Sequence, residues 1–508
     1  MQTKEGHFVQ GLGLTSATTI VMGGMIGSGI FIVSADIARV VDSPALLLAA
    51  WMITGIMTVI AALAYGELAA MMPQAGGQYV YLREALGPLW GFLYGWTLFL
   101  VIQTGTAAAV AVGFGKFLGV FFPSISSQNW IWHIAHVPPI PIGPMQLGNM
   151  DVGINTQNLA AIIVVAVLTG INVFGVKLGA LVQNIFTFAK TAAVIGLVGL
   201  GLFIGRNAEA VSANFGNFWA NAGLDAEHAV QFGMAGAFTM VGTITILAIA
   251  QVGSLFSSDA WNNVTFTAGE IKNPKRNLPL ALALGTGSVI LLYFAANVVY
   301  LTTLPLMGDP GAETVLGRGI QHATEDRVGT AVMQVMFGDA GQSMMAIAIL
   351  ISTFGCANGL LLSGARVYYA MARDGLFFKS VGHLHPTYNT PVKSLVVQGI
   401  WTSVLCISGS YGQLLDYIVF AVLIFYILTI GSIFVLRKKR PDAPRPYKAF
   451  GYPVLPALYI VMALYIDFIL LLYKPQYTWP GLIIVLLGIP VYFVWTRRNR
   501  KEAGSLSH

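Results

Sequence analysis

Charged side chains are scarce in this chain, at 9% of its 508 residues against 56% hydrophobic. So small a charged fraction over that length excludes a water-soluble domain and leaves a polytopic membrane protein. Cysteine is nearly missing. The two that occur, Cys356 and Cys406, lie in apolar stretches, which excludes a disulfide framework and a thiolate metal site. No cleavable signal pattern follows the polar start from Met1 to Gln10, so the first apolar run is expected to stay as a span. The apolar segments hold no cofactor motif and no convergent nucleophile and base, so neither a cofactor nor an enzyme is expected. His133 and His136 lack carboxylate or cysteine companions and read as interfacial histidines beside Trp130 and Trp132, with no metal.

Apolar runs of roughly 20 residues are abundant. Twelve helices are expected, near 14–40, 44–72, 89–120, 158–176, 181–204, 235–266, 278–304, 340–371, 392–409, 413–436, 453–473 and 478–496. Of the 27 Lys and Arg, roughly twenty fall on one side if the N-terminus is cytoplasmic, as the positive-inside rule requires. The basic run Arg437, Lys438, Lys439 and Arg440 decides that orientation, which places both termini inside. The long connections 121–157 and 305–339 read as outer surface loops with short interfacial helices.

Two spans carry interruptions. In the first, GGMIGSGIF at 23–31 places Gly27, Ser28 and Gly29 near mid-span, where the helix either unwinds or packs tightly against a neighbour. In the sixth, Gly253 to Trp261 clusters polar residues at the expected bilayer centre. Irregular backbone at membrane depth survives only in protein or beside a cavity, so two such breaks, five spans apart, point to an inverted repeat with a shared site.

The chain resembles the amino acid, polyamine and organocation (APC) transporter family over nearly its whole length. The resemblance rests on GGMIGSGIF, on YGELAAMMPQAGGQYVYLREALG at 65–87, on FTFAK at 186–190, on GSLFSSDAWNNVTFTAGEIKNPKRNLP at 253–279 and on FGCANGLLLSGARVYYAMARDG at 354–375. It is most similar to bacterial relatives of the L-amino acid transporter branch, and departs from them at Ser257 to Ala260, where an aromatic and paired glycines are usual. The resemblance implies an all-α polytopic membrane protein of 12 transmembrane helices, built as a five-plus-five inverted repeat with broken helices 1 and 6, plus helices 11 and 12. The expected layout is a cytoplasmic tail at 1–13, a first repeat at 14–204, an extracytoplasmic loop at 205–234 and a second repeat at 235–436. A basic cytoplasmic loop follows at 437–452, then helices 11 and 12 at 453–496 and a cytoplasmic tail at 497–508.

An α-amino acid needs an anion trap and a cation trap a few ångströms apart, and broken helices supply both. The N–H groups at Gly29 with the Ser28 hydroxyl are expected to face the carboxylate, and Gly27 to lie beside them. Carbonyls around Met25, Ile26, Phe256 and Asp259 are expected to face the ammonium. Phe256 reads as an outer lid or as ordinary packing, Ser257 as part of the site and Trp261 as its side-chain wall. Mostly apolar walls favour neutral L-amino acids; Asp259, if it faced the substrate, would favour cationic ones or polyamines.

Lys190 is the one basic residue placed deep in a span. There it either snorkels to the surface or reaches the break in helix 1 and the stretch of helix 8 around Ser352 and Asn358. By the resemblance, it stands where sodium sits in sodium-driven transporters of the same fold, which implies sodium independence. The span at 89–120 has no acidic residue to couple protons, so exchange is favoured over proton symport, and a channel is the rival outside transporters. Glu67, Arg83 and Glu84 are expected to meet Arg366, Arg373 or Arg276 as a topology anchor or a conformational lock. The eukaryotic L-amino acid transporters bond covalently to a partner glycoprotein through an outer-loop cysteine, and this chain has none, so no covalent partner is expected. A bacterial inner membrane is the expected location.

Overall fold

The computed structural model describes residues 10–138, 140–142, 145–147, 150–219, 240–407 and 411–505. Parts of the expected N-terminal tail, of the loop at 205–234, of the start of helix 6 and of the C-terminal tail lie outside those residues. The chain is a helical bundle. Nine helices among the described residues are long and apolar enough to cross a membrane, and three shorter apolar helices accompany them at Leu14–Met25, Gly242–Ser257 and Val392–Ile407.

The first span is two helices, α1 (Leu14–Met25) and α2 (Val33–Val41), joined by irregular backbone and a 3-10 turn at Gly29–Phe31. α3 (Pro44–Met71) begins on Pro44 at its first turn, where a missing N–H costs nothing. A short α4 (Gln78–Leu86) leads to α5 (Pro88–Thr97), which runs through a π-turn at Leu98–Ile102 into α6 (Gln103–Leu118).

The connection expected to hold interfacial helices instead forms strands: β1 (Trp130–Val137) pairs with β4 (Met150–Asn155), and β2 (Ile140–Ile142) with β3 (Met145–Leu147), all antiparallel. His133 and His136 thus lie on one strand, each 3.0 Å from Asp151 Oδ1 on the paired strand. β-branched and aromatic residues at 130–137 suit a strand better than the helix that their three-residue spacing suggested.

α7 (Thr156–Val173) is capped by Asn155, whose side chain accepts the Asn158 N–H. α8 (Val176–Phe203) shows how the bundle sorts its faces. Leu181, Ile185, Phe188 and Ile195 are exposed, a lipid-facing stripe, whereas Gln183, Thr187, Lys190, Val194 and Leu197 turn inward on the opposite face. α9 (Ala208–Phe215) follows.

The sixth span is α10 (Met240–Ser257) and the short α11 (Asn263–Phe266), separated by irregular backbone. α12 (Pro274–Thr303) and a turn, α13 (Val315–Arg318), lead to α14 (Val328–Arg373). α14 is two helical stretches joined at Gly338, where the backbone is non-helical (φ 59°, ψ -145°), so the longer stretch begins beside the expected 340. α15 (Val392–Ile407), α16 (Tyr411–Lys439), α17 (Val454–Tyr473) and α18 (Pro475–Ser505) complete the chain.

Ion pairs gather where α3, α4, α14 and α16 end, beside the basic loop. Glu67 accepts from Arg437 (3.0 and 2.7 Å) and from the Ala449 N–H (2.7 Å), and pairs with Arg445 at 3.3 Å. Arg83 pairs with Glu84 and Asp374, Glu84 also with Arg440 at 2.9 Å, and Arg366 with Glu270 at 3.2 Å in full burial. Glu67 and Glu84 are therefore held by the 437–445 loop rather than by Arg366, which sequence distance could not reveal.

Candidate functional site

Unwinding at Ile26 to Ser28 exposes a run of carbonyls, and side chains from three other helices occupy them. Lys190 Nζ donates to Gly23 O at 2.6 Å and to Ile26 O at 2.7 Å, with Ser352 O at 3.4 Å. The Ser352 hydroxyl is within 3.0 Å of both Ile26 O and Gly27 O. Cys356 Sγ lies 3.1 Å from Gly24 O, and Tyr293 OH donates to Met25 O at 2.8 Å.

Lys190 does not snorkel. It is 0% exposed and spends its donors on the break. Every N–H that α1 and the break fail to supply is thus replaced by a side-chain donor, as buried carbonyls require.

Of the carbonyls expected to face an ammonium, Met25 O accepts from Tyr293 and Ile26 O from Lys190 in this conformation, while the single Ser352 hydroxyl hydrogen lies between Ile26 O and Gly27 O. Asn358 also lies apart from Lys190. Its amide donates to Gly179 O and Gln183 Oε1 at 3.2 Å and its oxygen accepts from Asn172 at 2.9 Å, tying α14 to α7 and α8.

The break in the sixth span faces the first. A Cβ on Gly24 would stand 2.9 Å from Ala260 O, and one on Gly29 would overlap Ser257, so glycine is what lets the two irregular segments touch. Ser28 is buried, and its carbonyl accepts the Phe31 N–H. Phe256 and Ser257 are buried at the end of α10, where the Ser257 hydroxyl bonds Gly253 O. Ala260 takes φ of 64°, in the left-handed region that usually needs glycine.

Beyond that contact lie two cavities that share Asp259 and Tyr426. One, of about 10 Å³, room for roughly one water, is mixed, with Gln78, Gln103, Thr106, Asn262 and Asn263 among its walls beside Tyr94, Leu98 and Phe425. The other, of about 20 Å³, is mostly apolar, with Met57, Ala61, Leu255, Trp261 and Val419. Met25 to Gly29, Phe256 and Ser257 line neither. Trp261 packs edge-on to Tyr65 at 4.8 Å and against Tyr426 at 5.1 Å.

Tyr426 OH donates to Asp259 Oδ1 at 2.5 Å. Asn262 donates to Gln78 Oε1 at 2.8 Å, and Gln78 to Thr429 at 3.0 Å, which binds the second break to α4 and α16. Tyr426, Gln78 and Gln103 were not singled out in the sequence. Their only signal is polarity inside apolar runs, and for Gln103 its place directly after the π-turn, a distortion that often accompanies functional sites.

Two broken helices packed break against break, with small cavities lined by the second of them, suit a solute carrier, and the sequence comparison agrees: a family model described as amino acid permease matches residues 12–495. The chain belongs to the amino acid permease family, within the APC superfamily. Among its relatives, the serine/threonine exchanger SteT of Bacillus subtilis is 28% identical over 98% of this chain and 100% of its own length. The human large neutral amino acids transporter small subunit 2 is 29% identical, covering 95% of this chain and 80% of that protein. The human b(0,+)-type amino acid transporter 1 is 28% identical over 95% and 87% respectively. This permease is therefore a multi-pass membrane transporter of amino acids and not an enzyme.

Proposed function

We propose that this permease is a sodium-independent secondary transporter that exchanges neutral L-amino acids across the plasma membrane by alternating access. The observation that carries the reading is the Lys190 ammonium within 2.7 Å of two carbonyls of the broken first span. It occupies the position of a coordinated cation and adds a fixed charge that a sodium ion would have to displace. Exchange is supported by the exchanger among the relatives and by the lack of any acidic residue between Leu89 and Val120. Proton symport is the alternative mode.

The bundle fits twelve spans, nine long helices and three shorter ones, grouped as helices 1–5 and 6–10 in inverted repeat with helices 11 and 12 added. Both termini and the basic loop at 437–452 are then cytoplasmic, in a bacterial inner membrane. Gly29 N–H and the region of Ser28 hold the substrate carboxylate, the carbonyls near Phe256 and Asp259 its ammonium, and Trp261 its side chain. Phe256 is the lid, and the chain works without a covalent partner subunit.

Neutral substrates suit the apolar cavity and the Asp259–Tyr426 bond, which gives the buried carboxyl group a partner other than substrate. Asp259 also favours a second reading, because the polar groups beside it, Gln103, Asn262 and Asn263, would suit a cationic side chain. A competition panel of unlabelled amino acids against labelled alanine in proteoliposomes of the purified chain decides between them. Inhibition by leucine, serine or alanine supports the neutral reading; inhibition by arginine with none by those three overturns it. Activity only after a second membrane protein is added would overturn independence from a partner.

A further inference from the structure

At the end of the bundle remote from the basic loop, α13, the following turn and the start of α14 line a cavity of about 130 Å³ that neither broken span lines. Its polar walls are Arg318, Thr324, Arg327, Thr330, Gln334 and Gln342, and no Asp or Glu lines it. Both arginines are fixed in place. Arg318 donates from Nε to Ala312 O at 2.7 Å and from Nη1 to Thr324 Oγ1 at 2.6 Å, and has no carboxylate partner among the described residues. Arg327 is held through Nη2 by Lys116 O at 2.8 Å and Glu325 at 2.6 Å, and packs against the Phe117 ring. Only one of the two guanidinium groups thus has a carboxylate partner among the described residues.

Two donors are left over inside. Arg327 Nε and Thr330 Oγ1 are buried with no hydrogen-bond partner, and Thr330 is only 4% exposed. Buried donors are nearly always satisfied, and a surplus positive charge beside them selects an acceptor that is also an anion. Guanidinium forks match the paired oxygens of carboxylates and phosphates in particular.

We propose that this cavity is an oxyanion site, separate from the transport site, that takes a carboxylate or phosphate group presented from the side of the membrane opposite the basic loop. The group comes either from a small soluble anion or from an anionic phospholipid, whose chains would meet exposed Phe337 and Met344 on the same stretch of α14.

The test uses inorganic phosphate and the purified full chain in nanodiscs of phosphatidylcholine, with chloride at matched ionic strength as the reference. Thermal unfolding should shift upward saturably with phosphate. Arg318→Gln should need about tenfold more phosphate or more, the loss of a charge-assisted hydrogen bond, while exposed Arg206→Gln should follow the wild type. Should Arg318→Gln not fold, Thr330→Val carries the same comparison. Nanodiscs containing phosphatidylglycerol distinguish the sources: loss of the phosphate response there identifies a lipid headgroup as occupant, and an unchanged response identifies a soluble anion. No saturable response in phosphatidylcholine, or variants that respond as the wild type does, would overturn the proposal.

Discussion

Lys190 Nζ and the carbonyl oxygen of Ile26 are 2.7 Å apart, although 164 positions separate the two residues in the chain. That bond, with its companion to Gly23 O, joins α8 to the unwound part of the first span in full burial. A lysine there costs about 2.5 to 3.5 kcal/mol on the insertion scale, and its carbonyl partners offset that cost. Lys190→Ala should still insert and purify as a folded protein. It leaves Gly23 O without its donor and removes one of two from Ile26 O, at about 1–3 kcal/mol for a group left unsatisfied, and amino acid uptake should fall at least about tenfold. Uptake in proteoliposomes, normalised to reconstituted protein, checks this.

Glu67 anchors the basic loop. It is 1% exposed and receives Arg437, Arg445 and a backbone N–H. Removing one member of a buried pair leaves the other charge uncompensated, so Glu67→Ala should destabilise the fold by about 3 kcal/mol. Thermal unfolding in detergent should show a clear drop. Arg206→Ala, on an exposed residue, should show none.

Much of this arrangement was legible before any coordinates. Small residues in GGMIGSGIF, polar residues at 253–261 and a lone lysine in an apolar run are local signals, and each marked a place where a continuous helix is disfavoured. Partners were not legible in the same way. That Ser352 and Lys190 both reach Ile26 O, that Asn358 turns to α7 and α8, and that Glu67 meets Arg437 are facts of packing between elements hundreds of residues apart. The strands at 130–155 were missed because hydropathy in a long loop carries no reliable period. Tyr426 was missed because one tyrosine in IFYILTIG is indistinguishable from core.

Ala260 holds a left-handed backbone, φ 64°, in the break that faces Gly24. A side chain in that region costs about 1 kcal/mol or more, and glycine adopts it freely. Ala260→Gly should therefore raise the unfolding temperature by an amount corresponding to about 1 kcal/mol, with transport retained. A fall in stability would show that the alanine methyl group contributes more by packing than it costs in strain.

Glu84 gives the basic end a dependence on pH. Its bond to Arg440, with Arg83 beside it, holds its carboxyl below the ordinary glutamate value of 4.5. A group depressed in the folded state contributes stability that is present above its unfolded value and disappears as pH falls through the folded value. Glu84→Gln should accordingly unfold earlier than the wild type at neutral pH, and the two melting temperatures should converge once the pH drops below the glutamate range. A difference that persists unchanged in acid would assign it to packing, not charge.

In the proposed exchange cycle a fixed lysine charge does the work of a bound sodium ion. The direct measurement is counterflow in proteoliposomes of the purified chain, loaded with unlabelled alanine and given labelled alanine outside, with all sodium replaced by choline. Uptake should be accelerated by internal amino acid and equal in sodium and in choline. Uptake that disappears in choline, or Lys190→Ala vesicles that exchange at the normal rate, would contradict the proposed cycle.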